Sequence, residues 1–325
     1  MNGRRASLLV GLVMLSFGLA LPANGKEPGP NGRIAYGVFD VHTGSSRLYT
    51  ANPDGSHAAL LADRELEFAH WSPDGTEIVA LGSALDGTEN RSAVIVNVDT
   101  GDTRDLVMSD PTLFYACPIW SPGGTRLTCE GLDETNPSRN GIYTIQSSDG
   151  GGLTRITSNP GGDDMPGDYS PDGKRIVFMR WDSSGAAVGL FVQRVAGGSP
   201  VRITPAGLIP DPEGMTWSPN GGAIVFSARH EDERFSVYTV APDGSRLRRL
   251  PIPCGGLLTR ATAVSCRQPD WSPDGSLIMF SRGSVSGRYS DLYTVRPDGS
   301  GFTRVTVTPS TFDNEVDWGT HPLAG

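Results

Sequence analysis

Short runs of β-branched and aromatic residues recur along the chain, four to eight long, each ended by a Pro-Asp-Gly or Gly-rich turn. Runs of that length and type read as β-strands, and the turns between them as hairpins. One segment, Trp71-Ser72-Pro73-Asp74-Gly75 followed by Ile78-Val79-Ala80, returns at Trp120, Tyr169, Trp217 and Trp271. These aromatic positions step by 49, 49, 48 and 54 residues, and another 47 reaches Trp318. Pro presets φ at the first turn position, Asp or Asn suits the second, and Gly supplies the positive φ of the third. The spacing therefore predicts a three-residue hairpin loop closed by a bulge. A second hairpin follows inside each unit, as in Leu48–Gly55, Val237–Gly244 and Leu292–Gly299, and then a strand such as Phe302-Thr303-Arg304-Val305-Thr306.

Four antiparallel strands per repeat of about 40–50 residues, labelled a to d along each unit, are the signature of a propeller blade. The ends count the blades. Pro30–Tyr36 reads as a turn and strand b without a strand a. Glu315–Gly319 reads as a strand a without a strand b. The expectation is an all-β fold: a six-bladed propeller of four-stranded antiparallel blades, closed by pairing of the N- and C-terminal strands. Residues beyond the last strand, His321–Gly325, are expected to contribute little.

These Trp-Ser-Pro-Asp-Gly-x-x-Ile-x-Phe repeats resemble those of the TolB propeller family, over residues 29–319. The resemblance implies a protein-binding platform of the periplasm. With only a few residues between the leader and the first blade, TolB's additional N-terminal domain is not expected here, which puts a Tol–Pal role in doubt.

Ahead of the repeats, Arg4 and Arg5 precede an apolar run from Ala6 to Leu21, and Ala23 and Gly25 provide small residues for cleavage. This reads as a signal peptide over 1–25, leaving 26–325 as one propeller domain in the periplasm, cell envelope or extracellular space. A retained anchor is the other reading, although the run is short for a span. The Arg pair raises twin-arginine export without matching that signal well. The four cysteines, Cys117, Cys129, Cys254 and Cys266, suit disulfides in an exported chain and allow three pairings. With Pro122-Gly123-Gly124 as loop, counting outward sets Cys117 opposite Cys129, leaving Cys254 with Cys266.

Composition narrows function. The net charge is −9, and only Lys26 and Lys174 are lysines. Without a basic block, nucleic acid is excluded as a partner. No Gly-x-Ser-x-Gly, His-Glu-x-x-His or P-loop motif occurs. The repeated Trp and Asp residues read as packing and turn residues. The loops between strands b and c and between d and a (81–91, 130–140, 180–185, 228–235, 157–165, 204–215 and 251–268) carry the irregular sequence. Loops of that kind on a rigid scaffold are where function usually sits. Near strand a they are acidic, with Asp163, Asp211, Glu213 and Glu315 among the carboxylates. The candidate binding set at the channel mouth is Glu67, His70, Asp164, Asp168, Asp270, Asp313 and Asp317. Such a rim would attract a basic peptide or Ca²⁺. The expected function is a monomeric, non-enzymatic scaffold for a protein or peptide, without a required cofactor. The alternative is a carbohydrate-active lyase or hydrolase using mouth carboxylates.

Overall fold

The computed structural model of the chain describes residues 28–83, 91–107, 110, 112–231, 233–257, 263–284, 289–308 and 310–325. The expected leader at 1–25 lies outside them, as do parts of the loops at 81–91 and 251–268. Among the described residues no helix is long and apolar enough to cross a membrane.

The protein has the all-β architecture of a propeller. Leu66–Trp71, Glu77–Ser83, Arg91–Asn97 and Thr103–Asp105 pair antiparallel in chain order. Phe114–Trp120, Arg126–Leu132, Gly141–Gln146 and Thr154–Arg155 repeat the pattern. So do Gly162–Tyr169, Arg175–Asp182, Ala187–Arg194 and Val201–Arg202. In the next unit strand a is split into Ile209–Pro210 and Thr216–Trp217, ahead of Ile224–Arg229, Ser236–Val240 and Arg248–Arg249.

The remaining strands form one eight-stranded sheet. One half is Val264–Trp271, Ile278–Ser284, Ser290–Val295 and Thr303–Arg304. The other is Thr311–Trp318, Ile34–Asp40, Ser45–Ala51 and Ala59–Leu60, in which the last strand pairs antiparallel with the first. A single parallel pair, Ser290 with Phe312, joins the halves. Hydrogen bonding thus delimits five sheets rather than six.

Apolar clusters fill the space between consecutive units. Val79 and Ile95 meet Trp120 and Leu127, and Ile142 meets Ile176 and Phe178. Val177 and Leu190 meet Trp217 and Phe226, while Val225 and Val237 meet Trp271 and Phe280. Met279 and Leu292 meet Ile34 and Trp318, and Ala35 and Leu48 meet Trp71 and Ile78. The strand-a aromatics are buried in these seams, where each removes a large apolar surface from water.

The a–b hairpin differs from expectation in an instructive way. Ser121 N–H bonds Arg126 O and Trp120 pairs with Leu127, so the loop has four residues, not three. Taken alone, that shift would move Cys117 off Cys129. A bulge between Ala116 and Ile119 restores it, and Cys117–Cys129 forms with its Cα atoms 3.9 Å apart. Cys254–Cys266 is the second disulfide, and both pairings match the expected ones. Bulges recur in strand a elsewhere, between Glu67 and His70, Pro166 and Asp168, and Arg267 and Asp270.

Residues next to the first described strand are tied to those after the last. Gly32 N–H bonds Gly319 O, and Arg33 N–H bonds His321 O. His321 stacks on Trp71 with ring centroids 5.5 Å apart, and Asn52 brackets Ala324 with two bonds. The expectation that His321–Gly325 contribute little is therefore corrected. Gly75 rests against Thr320 and His321 much as Gly124 rests against Pro73 and Gly221 against Pro171. The tail stands in for a turn that the chain ends would otherwise leave incomplete.

Candidate functional site

Each acidic residue just before a strand-a aromatic grips the neighbouring unit. Asp317 Oδ2 accepts the N–H of Trp71 at 2.7 Å, Asp168 Oδ2 that of Trp217 at 2.8 Å, and Asp270 Oδ2 that of Trp318 at 2.7 Å. Charged acceptors make these strong bonds, and those of Asp317 and Asp270 are buried. His70 Nδ1 lies 3.8 Å from Asp317 Oδ1, and His70 O accepts the indole N–H of Trp120. His70, Asp168 and Asp317 line a cavity of about 60 Å³ together with Ser72, Pro73 and Pro273 of the short turns. This corrects their expected place at the channel mouth, on the loop-rich end where the b–c and d–a loops lie. They stand at the end of strand a, next to the a–b turn.

Asp164 and Asp313 belong to the opposite end. At ~3.3 Å per residue, Asp164 is about 13 Å along the strand from Asp168. Asp164 is fully buried, accepts the Thr157 hydroxyl at 2.7 Å, and binds Arg180 through Nε at 2.6 Å. Asp313 accepts Thr308 and Thr311 hydroxyls, and its burial raises its pKa. Asp211 holds Arg267 at 2.5 and 2.8 Å. The outer strands help fasten these loops. Arg155 donates to Thr157 O and Ser138 O, and Arg304 to Thr306 O and Asp291.

The candidate set therefore does not converge. Among the described residues no group of three or more His, Cys, Asp or Glu is arranged to hold a metal ion. Calcium held jointly by Asp164, Asp168, Asp270, Asp313 and Asp317 is not the geometry found.

A different group does meet toward the axis. Gln268 Nε2 donates to Glu213 at 2.5 Å, Gln268 Oε1 accepts Glu315 N–H, and Glu315 Oε2 accepts Phe68 N–H at 2.8 Å. Phe68, Gln268 and Glu315 all have left-handed backbone, with φ of 56, 54 and 52°. Non-glycine residues held there cost energy and persist where the surroundings over-determine them. In this case the strand-a bulges and the belt of bonds supply that determination. Burial raises the pKa of Glu213, and the charges of Asp211 and Glu67 add to the effect. Glu67 of the candidate set is therefore part of this axial acidic group, with Arg267 as its cation. Gln268 was missed from sequence because it lies in a bulge, and Arg267 because its partner Asp211 belongs to the neighbouring unit.

The chain matches the TolB beta propeller domain over residues 31–320. It belongs to the TolB beta-propeller family. TolB from Acinetobacter baumannii superposes with a TM-score of 0.69 at 21% identity, covering 89% of this chain and 66% of that one. A putative TolB from Agrobacterium tumefaciens gives 0.60 at 16%, covering 88% and 98%. An oligogalacturonate lyase from Vibrio parahaemolyticus gives 0.53 at 12%, covering 81% and 71%. This chain spans just under two thirds of the Acinetobacter protein's length. At these identities the likeness is one of fold.

Proposed function

We propose that this TolB-family propeller is a non-enzymatic scaffold, exported by a cleaved leader, that binds a protein or peptide segment on its loop-rich end. The observation carrying this reading is the employment of the carboxylates. Asp168, Asp270 and Asp317 are bonded between units, and Asp164 and Asp313 are bonded within theirs. A catalytic carboxylate must instead be left able to exchange protons with a substrate. The axial group of Glu67, Glu213 and Glu315 suits the basic part of such a segment. Two disulfides fit an oxidising compartment.

The ring itself is six-bladed and closed in this reading. Six apolar clusters lie between consecutive units, and the eight-stranded sheet is two blades linked at one residue pair.

Site-directed photocrosslinking tests the binding face. A probe at Ser183, in a b–c loop, should capture a discrete partner from the native envelope fraction, and a probe at Asp243, in a short turn, should not. Equal capture from both positions would remove the assignment. The lyase alternative draws only on a shared fold with the Vibrio enzyme. Release of unsaturated products from oligogalacturonate would establish it.

A further inference from the structure

The seam between Phe114–Arg155 and Gly162–Arg202 contains a pair of acids that neither the repeats nor the axial belt uses. Glu130 lies on strand b of the first unit, between Ala116 and Ile142 on the flanking strands. Asp163 lies near the start of strand a in the second unit. Glu130 lies on the same strand face as Thr128, which reaches Tyr169 across the seam, and that face brings its carboxyl within hydrogen-bond reach of Asp163's. Asp163 Oδ1 is sealed from solvent and meets no N–H or hydroxyl donor among the described residues. Two carboxylates cannot share such a bond, since neither has a proton to donate. One of them must hold it.

The surroundings do not relieve the charge. Asp164, the nearest further acid, is already matched by Arg180. Asp182 accepts the N–H groups of its own turn. On the Glu130 side, Arg139 is paired with Asp110 and Asp133, and Arg155 is committed to backbone carbonyls. Burial, followed by the bond and charge of Asp163, pushes Glu130 well above the usual carboxylate range; burial also raises Asp163. Farther along the seam Thr128 and Tyr169 share a 2.6 Å hydroxyl bond, with the charges of Arg126 and Asp168 near Tyr169, and Asn140 donates to Gly162 O.

We propose that Glu130 and Asp163 share one proton across this seam and make it a pH-sensitive latch between neighbouring units. The latch borders the loop-rich end, because Asp163 also walls a recess of about 540 Å³ with Asn140, Gly162 and Asp182. Losing the proton leaves two half-buried negative charges facing each other, and the seam loosens at that recess. The sign follows from linkage. Groups whose folded pKa is raised stabilise the fold most at low pH, and that stability is lost as pH rises toward the folded value.

Glu130→Gln keeps a permanent donor to Asp163 and removes the titration. Melting curves of the intact protein and of E130Q, each at pH 5 and pH 8, isolate the pair. The wild type should lose several degrees more than E130Q on going to pH 8. Infrared difference spectra at neutral pH should show a protonated carboxyl band in the wild type that E130Q lacks. Asp163→Asn, with its amide donating to Glu130, should mimic E130Q and covers the case in which E130Q folds poorly. Equal pH dependence of wild type and both variants, or no loss of the carboxyl band, would overturn the latch.

Discussion

The two ends of the propeller differ in that acids with raised pKa values gather at only one of them. At the short-turn end carboxylates are ionised and gripped by donors. Asp74 accepts from Ser72 and from Thr76 N–H, and Asp317 accepts the N–H of Trp71. At the loop-rich end Asp133 and Asp182 are lowered by hydrogen bonds in the same way, but burial raises Glu213, Asp313, Glu130 and Asp163. The contrast follows from the backbone. A repeated turn offers its own N–H groups at fixed positions, so an Asp there is matched locally. An irregular loop offers no such guarantee, and its acids depend on whatever the fold brings near.

The largest perturbation should come from the strand that ties both chain ends. Deleting Asp313–Gly325 removes most of the partner of Ile34–Asp40 and takes Trp318 out of its seam. Loss of a buried Trp alone costs ~3–5 kcal/mol, against a total stability of roughly 5–15. The truncated protein should aggregate on expression, as read by size-exclusion chromatography. A monomer melting like the full chain would mean that the ends are independent.

Deleting only His321–Gly325 sharpens the comparison, because it removes the stand-in turn while leaving the strand. The lost bonds to Arg33 and Asn52, with the stacking on Trp71, should cost about 2–3 kcal/mol in urea unfolding. An unchanged midpoint would show that the tail only rests on the surface.

Asp317→Ala leaves Trp71 N–H without its charged acceptor and should cost about 2 kcal/mol, with Asp317→Asn losing less. If Asn and Ala cost the same, the carboxylate is not acting through that bond.

The smallest effect is a difference of pH slope. Asp74, Asp172 and Asp274 have pKa values lowered by hydrogen bonds from their turns. Their contribution is present above the ordinary Asp range and fades as pH falls through the lowered values. Glu213 and Asp313, raised by burial, behave oppositely and favour the fold more as pH drops toward the ordinary range. Hydrogen-exchange protection should thus decline first at the short turns during acidification, while the starts of strand a hold. Uniform loss at both ends would erase the distinction.

Much of this protein is set by local pattern. Pro-Asp-Gly after an aromatic specifies a turn because Pro fixes one dihedral and Gly permits another, and that chemistry is the same in every repeat. Strand count per unit, the buried Trp residues and both cysteine pairings were legible from such periodicity. The pairing of Cys117 with Cys129 was reached despite a loop one residue longer than expected, since an unseen bulge offset the error. Bulges leave little mark in sequence: a strand reads the same with or without one, yet a bulge decides which way every later side chain points. For that reason tertiary structure alone determined that Asp168, Asp270 and Asp317 brace neighbouring units. It likewise turned Gln268 and Glu315 into an axial belt, and it set Glu130 against Asp163 across a seam between residues 33 positions apart. Repetition fixes what each unit is, while the packing of one unit on the next decides which carboxylates have partners and which are left to do something else.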